Sequence, residues 1–259
     1  MGEAIITRRG GTLKITGQTE EIVRFGEAIN KYDPVYVKGG TFTKVPNPST
    51  LPTGNGYEVA FDSTGTYLAV GHGNSPYITI YKRNGDTFTK LPNPSTLPTS
   101  WANGVAFDST GTYLAMVHDI GSYITIYKRN GDTFTKLPNP STLPTDAGNG
   151  VAFDSTGTYL AVGHYDSPYI TIYKRNGDTF TKLPDPSTLP TDAGNGVAFD
   201  STGTYLAVAH VKSPRITIYS ANACFKTNLM SDVSIATKAG YAKESGVAGE
   251  YKKIVVIFK

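Results

Sequence analysis

Residues 151–173 read Val-Ala-Phe-Asp-Ser-Thr-Gly-Thr-Tyr-Leu-Ala-Val-Gly-His-Tyr-Asp-Ser-Pro-Tyr-Ile-Thr-Ile-Tyr, and this stretch decides the fold. Its first eleven residues occur four times, headed by Val59, Val105, Val151 and Val197, and every interval is 46 residues. His72, His118, His164 and His210 follow at the same period. A short apolar segment, Val151 to Phe153, runs into a polar Asp-Ser-Thr-Gly turn in which Gly157 can take positive φ. Tyr159 to His164 and Tyr169 to Tyr173 are rich in β-branched and aromatic residues, and both are predicted strands. Asn176-Gly177 is a hairpin dipeptide suited to a type I′ turn, and Thr179 to Leu183 is the fourth predicted strand. The following segment, 184–195, carries prolines that bar it from the middle of a sheet.

Four antiparallel strands in a unit of 46 residues form the blade of a β-propeller. One such sheet cannot cover both of its faces, but blades packed side by side can, so the unit has to repeat. Thr41 to Pro46 has the register of a fourth strand, with Phe42 matching Phe88, Phe134 and Phe180. Residues 197–219 have the register of the first three strands. The two ends are therefore expected to complete one blade and close a four-bladed ring. An eight-bladed ring built from two chains satisfies the same pattern. The expected fold is all-β: a propeller over residues 41–220, inserted into a small β-domain made of residues 1–40 and 221–259. Strands are expected in that domain at Thr12 to Thr16, Glu21 to Phe25, Val35 to Lys38 and Ile254 to Phe258.

Composition agrees with this class. Charged residues make up 17% of the 259, while 28 glycines and 16 prolines supply many turns. A net charge of +3 is too small to argue for nucleic acid. The single cysteine, Cys224, excludes an intramolecular disulfide and a multi-cysteine metal site. No window reaches the ~18 apolar residues of a membrane helix. Residues 1–11 lack the apolar core of a signal peptide, so synthesis in a cytoplasm is expected, with exit by lysis or within a particle.

The Val-Ala-Phe-Asp-Ser-Thr-Gly-Thr-Tyr-Leu-Ala run resembles the first two strands of a WD-repeat blade, and Tyr-Ile-Thr-Ile-Tyr-Lys resembles its third. The resemblance covers about residues 41–220. It departs where the family has a Gly-His pair before the first strand, and where tyrosine replaces the tryptophan of its Trp-Asp pair. The start, Met-Gly-Glu-Ala-Ile-Ile-Thr-Arg-Arg-Gly-Gly, resembles that of tail proteins from phages and prophages of Gram-positive bacteria. The C-terminal motif around Gly240-Tyr241-Ala242 and Ala248-Gly249-Glu250 resembles one shared by tail fibres and capsid-decoration proteins. These resemblances imply a virion component without enzymatic activity or cofactor. Its flanking domain would bind other virion proteins, and its propeller would contact a host surface glycan. Capsid decoration and a cytoplasmic protein-interaction scaffold are the alternatives.

Differences among the four copies point to a binding face. They cluster after each histidine, at Gly73-Asn74, Asp119-Ile120, Tyr165-Asp166 and Val211-Lys212, and again before the first strand, at 54–58, 100–103 and 146–149. In a propeller both loops leave the same side. The candidate ligand residues are therefore Trp101 (the one tryptophan), Asn74, Asp119, Tyr165, Asp166 and Lys212. The histidines are expected to be structural, each hydrogen-bonding a neighbouring blade. They could bind metal only by converging on the axis. The Asp-Ser-Thr-Gly phrase is expected to be turn chemistry and not an aspartic-protease dyad, which needs two carboxylates sharing a proton. Lys82, Lys128 and Lys174 with Lys90, Lys136 and Lys182 form an expected basic rim that protects the edge strands.

Overall fold

The computed structural model describes residues 42–221 and two short paired strands, β1 (Leu13–Lys14) and β2 (Ile22–Val23). The expected base domain otherwise lies outside the described residues. Three four-stranded antiparallel sheets and one three-stranded sheet follow in chain order. Blade 1 comprises β3 (Gly56–Phe61), β4 (Tyr67–His72), β5 (Ile78–Asn84) and β6 (Thr87–Lys90). Blade 2 comprises β7 (Ala102–Phe107), β8 (Tyr113–His118), β9 (Ile124–Asn130) and β10 (Thr133–Lys136). Blade 3 comprises β11 (Gly148–Phe153), β12 (Tyr159–His164), β13 (Ile170–Asn176) and β14 (Thr179–Lys182). Blade 4 has β15 (Gly194–Phe199), β16 (Tyr205–His210) and β17 (Ile216–Ser220). In each full blade the order is a simple meander.

The turns show why this sequence folds so. Asp62 Oδ1 accepts the Tyr67 N–H at 2.8 Å and Oδ2 accepts the Thr64 hydroxyl at 2.7 Å, while the Asp62 carbonyl accepts the Gly65 N–H at 2.9 Å. Asp108, Asp154 and Asp200 repeat the arrangement. Each aspartate is thus a turn clamp, as its phrase suggests. The hairpin differs from expectation by one residue. Asn84 pairs with Thr87, so Gly85 and Asp86 are the turn residues. Positive φ falls on Gly85 alone, at 56°, which marks a type II′ and not a type I′ turn. Tyr81, Tyr127 and Tyr173 stand where the resemblance placed tryptophan. Their rings are buried, and their hydroxyls donate to the Thr50, Thr96 and Thr142 carbonyls, pinning the incoming loop.

Each blade packs on the next through one repeated interface. Tyr67, Ala69, Ile78 and Ile80 of blade 1 meet Val105, Leu114, Met116 and Phe134 of blade 2. Tyr113, Ala115, Ile124 and Ile126 then meet Leu160, Val162 and Phe180. At the rim the Tyr67 hydroxyl donates to Asp132 at 2.6 Å, Lys82 pairs with Asp132 at 2.9 Å, and the Arg129 guanidinium lies 4.4 Å from the Tyr67 ring centre. Tyr113, Asp178, Lys128 and Arg175 repeat this clasp. Burial, then the bond to Asp132, raises the pKa of Tyr67, and the bonds from Tyr67 and Lys82 lower that of Asp132. Lys82 and Lys128 are therefore committed to neighbouring blades rather than forming a bare basic rim. Lys90, Lys136 and Lys182 bind Asn93, Asn139 and Asp185 close by.

The histidines are buried and structural, but their partners lie within their own blades. His72, His118, His164 and His210 bond through Nε2 to Thr79, Thr125, Thr171 and Thr217 at 2.9–3.1 Å. The reason is strand register: the threonine stands one strand away on the same sheet, seven residues on. In His118 the Nδ1–H donates to the Ile120 carbonyl, which fixes the tautomer and leaves Nε2 to accept from Thr125. Burial lowers the pKa of His72, His118 and His164.

Among the described residues, no strand is assigned at the expected closing position. Residues 42–46 have no regular structure, Phe42 is fully exposed, and blade 4 has three strands among the described residues. Within the propeller unit the blades form an open arc. Val59 is 58% exposed, while its equivalent Val105 is 5% exposed.

Two outcomes follow from this packing. Phe134→Ala is expected to cost ~3–4 kcal/mol in chemical denaturation, while Phe42→Ala stays within ~0.5 kcal/mol; equal losses would mean that the strand at Phe42 packs in solution. The folded pKa of the three histidines lies below the unfolded value of ~6.5, so the unfolded chain binds the extra protons. Stability is therefore flat above about pH 7 and falls below ~6.5, by up to ~1.4 kcal/mol per pH unit per histidine. His118→Gln should flatten the pH dependence of the melting temperature between pH 5 and 6.5; an unchanged slope contradicts the assignment.

Candidate functional site

Two loops of blade 1 and the entry to blade 2 form the candidate site. Pro52, Thr53, Gly54, Asn55 and Tyr57 precede or begin β3, Gly73 and Asn74 follow β4, and Trp101 precedes β7. Together they line a pocket of about 500 Å³. The two variable sequence clusters thus do share one side of the blade, as the propeller geometry requires.

The loops hold each other by short bonds. Asn74 Nδ2 donates to the Thr53 carbonyl at 3.0 Å, the Thr53 hydroxyl donates to the Ser75 carbonyl at 2.7 Å, and the Gly73 N–H donates to the Asn55 carbonyl at 3.0 Å. The approach is close enough to demand glycine at position 54. A Cβ there would lie 2.6 Å from the Asn74 backbone nitrogen. His72, just before Gly73, is fully buried, and its Nδ1 has no hydrogen-bond partner among the described residues. Trp101 is 49% exposed and Tyr57 is similarly open, so the walls present flat aromatic surface to solvent. None of the lining residues is charged. Such a site can take an uncharged ligand with an apolar face and a polar rim.

Of the six candidate residues, the pocket gathers Trp101 and Asn74. The other four occupy equivalent loops on later blades. Asp119 is turned inward and accepts from Asn103 Nδ2 at 2.7 Å, and Asn103 also donates to the Gly148 carbonyl. Tyr165 is exposed. The Asp166 carbonyl accepts the Tyr169 N–H, and Lys212 lies 3.6 Å from Asp192. Tyr57, Thr53 and Asn55 belong to the site but were not among the six. Tyr57 and Asn55 fall inside the variable cluster at 54–58, so a signal for them existed. Positions matching Trp101 hold Asn55, Ala147 and Ala193, so this aromatic wall exists at one junction. Among the described residues no group of three or more histidine, cysteine or acidic side chains is placed to hold a metal ion, and no helix is long and apolar enough to cross a membrane.

Comparison with family models and with curated proteins finds no match. Solved structures do match. U3-55K aligns over 66% of this chain and 50% of its own, at 16% identity and a TM-score of 0.52. Hydrazine synthase of Kuenenia stuttgartiensis aligns over 73% and 50%, at 11% identity and 0.53. A putative 6-phosphogluconolactonase of Bacteroides fragilis aligns over 81% and 60%, at 16% identity and 0.53. The chain spans half to three-fifths of these proteins. The likeness is one of fold: an all-β, WD40-like β-propeller.

Proposed function

We propose that the chain is a non-enzymatic binding protein whose loop face contacts a host surface component, an uncharged glycan, with Trp101 as anchor. A WD40-like propeller suits a role in molecular interaction. The observation that carries the finer reading is the half-exposed Trp101 indole, forming one wall of an uncharged pocket with Tyr57, Asn55, Asn74 and Thr53. Sugar rings offer apolar C–H faces rimmed by hydroxyls. Indole and phenol surfaces match the faces, and side-chain amides and hydroxyls match the rim. The pocket stands on rigid sheets, which lowers the ordering cost of binding.

The resemblance of both flanks to phage proteins supports display on a virion, with residues 1–40 and 221–259 joining other virion proteins. The same C-terminal motif also fits capsid decoration. Labelling of purified particles separates the two by marking tail or head, and absence from particles favours a cytoplasmic scaffold.

Trp101 is the chain's one tryptophan, so its fluorescence reports on the site directly. Titration with neutral cell-wall oligosaccharides is expected to shift and saturate that emission. In calorimetry, Trp101→Ala or Asn74→Ala should weaken binding at least tenfold, about 1.4 kcal/mol. Binding that survives Trp101→Ala unchanged would overturn the site.

A further inference from the structure

We infer that a second copy of this chain closes the propeller, blade 4 of each copy docking on blade 1 of the other. The argument rests on an interface the chain already makes three times. At the first two junctions the forward face of one blade presents a tyrosine and two isoleucines, and at the third it presents Ala161, Ile170 and Ile172. The rear face of the next presents the valine and phenylalanine of its first strand and two aliphatic residues of its second. Among the described residues blade 4 has no following blade, and its forward face is open: Tyr205 is 51%, Ile216 50% and Ile218 61% exposed. Blade 1 has no preceding blade, and its rear face is open at Val59 and Phe61. Leu68 and Val70 behind them are half-buried, whereas their equivalents Leu114 and Met116 are fully buried. The two exposed faces are the two halves of the interface that recurs inside the chain.

The polar clasp matches as well. Tyr67 reaches Asp132 and Tyr113 reaches Asp178, each on the next blade's hairpin. The same step from Tyr205 leads to Asp86 on blade 1. Arg129 and Arg175 cover the rings of Tyr67 and Tyr113, and Arg83 is their equivalent. Gly111 and Gly157 sit within 3.1 Å of Asp62 and Asp108, measured from an added Cβ. Gly65, the equivalent on blade 1, has only Arg83 nearby, and Asp200 is left to receive it. One element departs: Ser220 stands where Lys82 and Lys128 pair with the hairpin aspartate, so this junction lacks the ion pair.

A second copy fits better than self-closure because the internal junctions, repeated three times, leave the arc open. Two arcs joined head-to-tail give eight blades, within the range propellers adopt. A head-to-tail contact whose rotation closes yields a finite ring.

Multi-angle light scattering on the full chain tests this. Expected is twice the 27.7 kDa chain mass at micromolar concentration. Val59→Asp and Ile218→Asp each alter an exposed side chain, so each variant should keep its circular dichroism. Each alone should shift to the single-chain mass, because one charge falls in both junctions of a symmetric ring. Mixing the two variants should partly restore the double mass, since one junction of the mixed pair is then unaltered. A single-chain mass for the unaltered protein overturns the proposal and favours self-closure. A double mass that neither substitution lowers overturns it by placing the contact elsewhere. Open-ended assembly to larger masses overturns the two-copy ring.

Discussion

The whole molecule depends on the blade-to-blade junction. A four-stranded antiparallel sheet with apolar side chains on both faces has no stable existence alone, and here the chain's burial is concentrated between sheets. The junction divides into an apolar interior and a polar rim. Ile78, Ile80, Leu114 and Met116 are fully or nearly fully buried, and burial of each contributes on the order of 2 kcal/mol. The Lys82–Asp132 pair at the rim is nearly half exposed, and such pairs contribute ~0–1 kcal/mol. The aliphatic interior therefore supplies the stability. The clasp of Tyr67, Asp132 and Arg129 sets direction, because the forward face carries the tyrosine and the rear face carries its acceptor.

That asymmetry explains what was legible in the sequence. The 46-residue period fixes strand number and spacing, since any insertion would put a side chain on the wrong face of a pleated strand. The Asp-Ser-Thr-Gly turn was legible because its bonds are local: the hydrogen bonds of Asp62 reach no farther than Tyr67. The histidine partners were not. His118 and Thr125 are seven residues apart, but their contact depends on which residues of β8 and β9 pair, and that register comes from the connecting loop. The hairpin was missed by one residue because Asn-Gly is a strong local turn signal. Here the pairing of Asn84 with Thr87 moves Gly85 to the first turn position. Register alone predicts a strand at 41–46, whereas residues 42–46 carry none among the described residues.

The site was legible to a similar degree. Positions that vary while the strands stay constant include Asn74 and Trp101, and the fold brings these two together. The same comparison also picks out Asp119, Tyr165, Asp166 and Lys212, which share the face without sharing the pocket. Variation shows where side chains are released from packing. It does not show which of them meet, because that depends on one large residue standing at one junction. Ala147 and Ala193 at the matching positions cannot form such a wall.

Ring closure and binding bear on each other. In a head-to-tail ring of two chains the two-fold axis runs along the ring axis, so both Trp101 pockets open on the same side. A shallow, uncharged pocket with one aromatic anchor is expected to bind a single sugar unit weakly. A repeating glycan presents many identical units on one surface, and the second pocket then binds at the high local concentration set by the first contact. The strength of attachment would follow from how rigidly the strands fix the spacing between pockets, more than from the chemistry of either pocket alone. Selection would then act on the loops for ligand fit and on the strands for spacing, which is how constancy and variation are divided in this sequence.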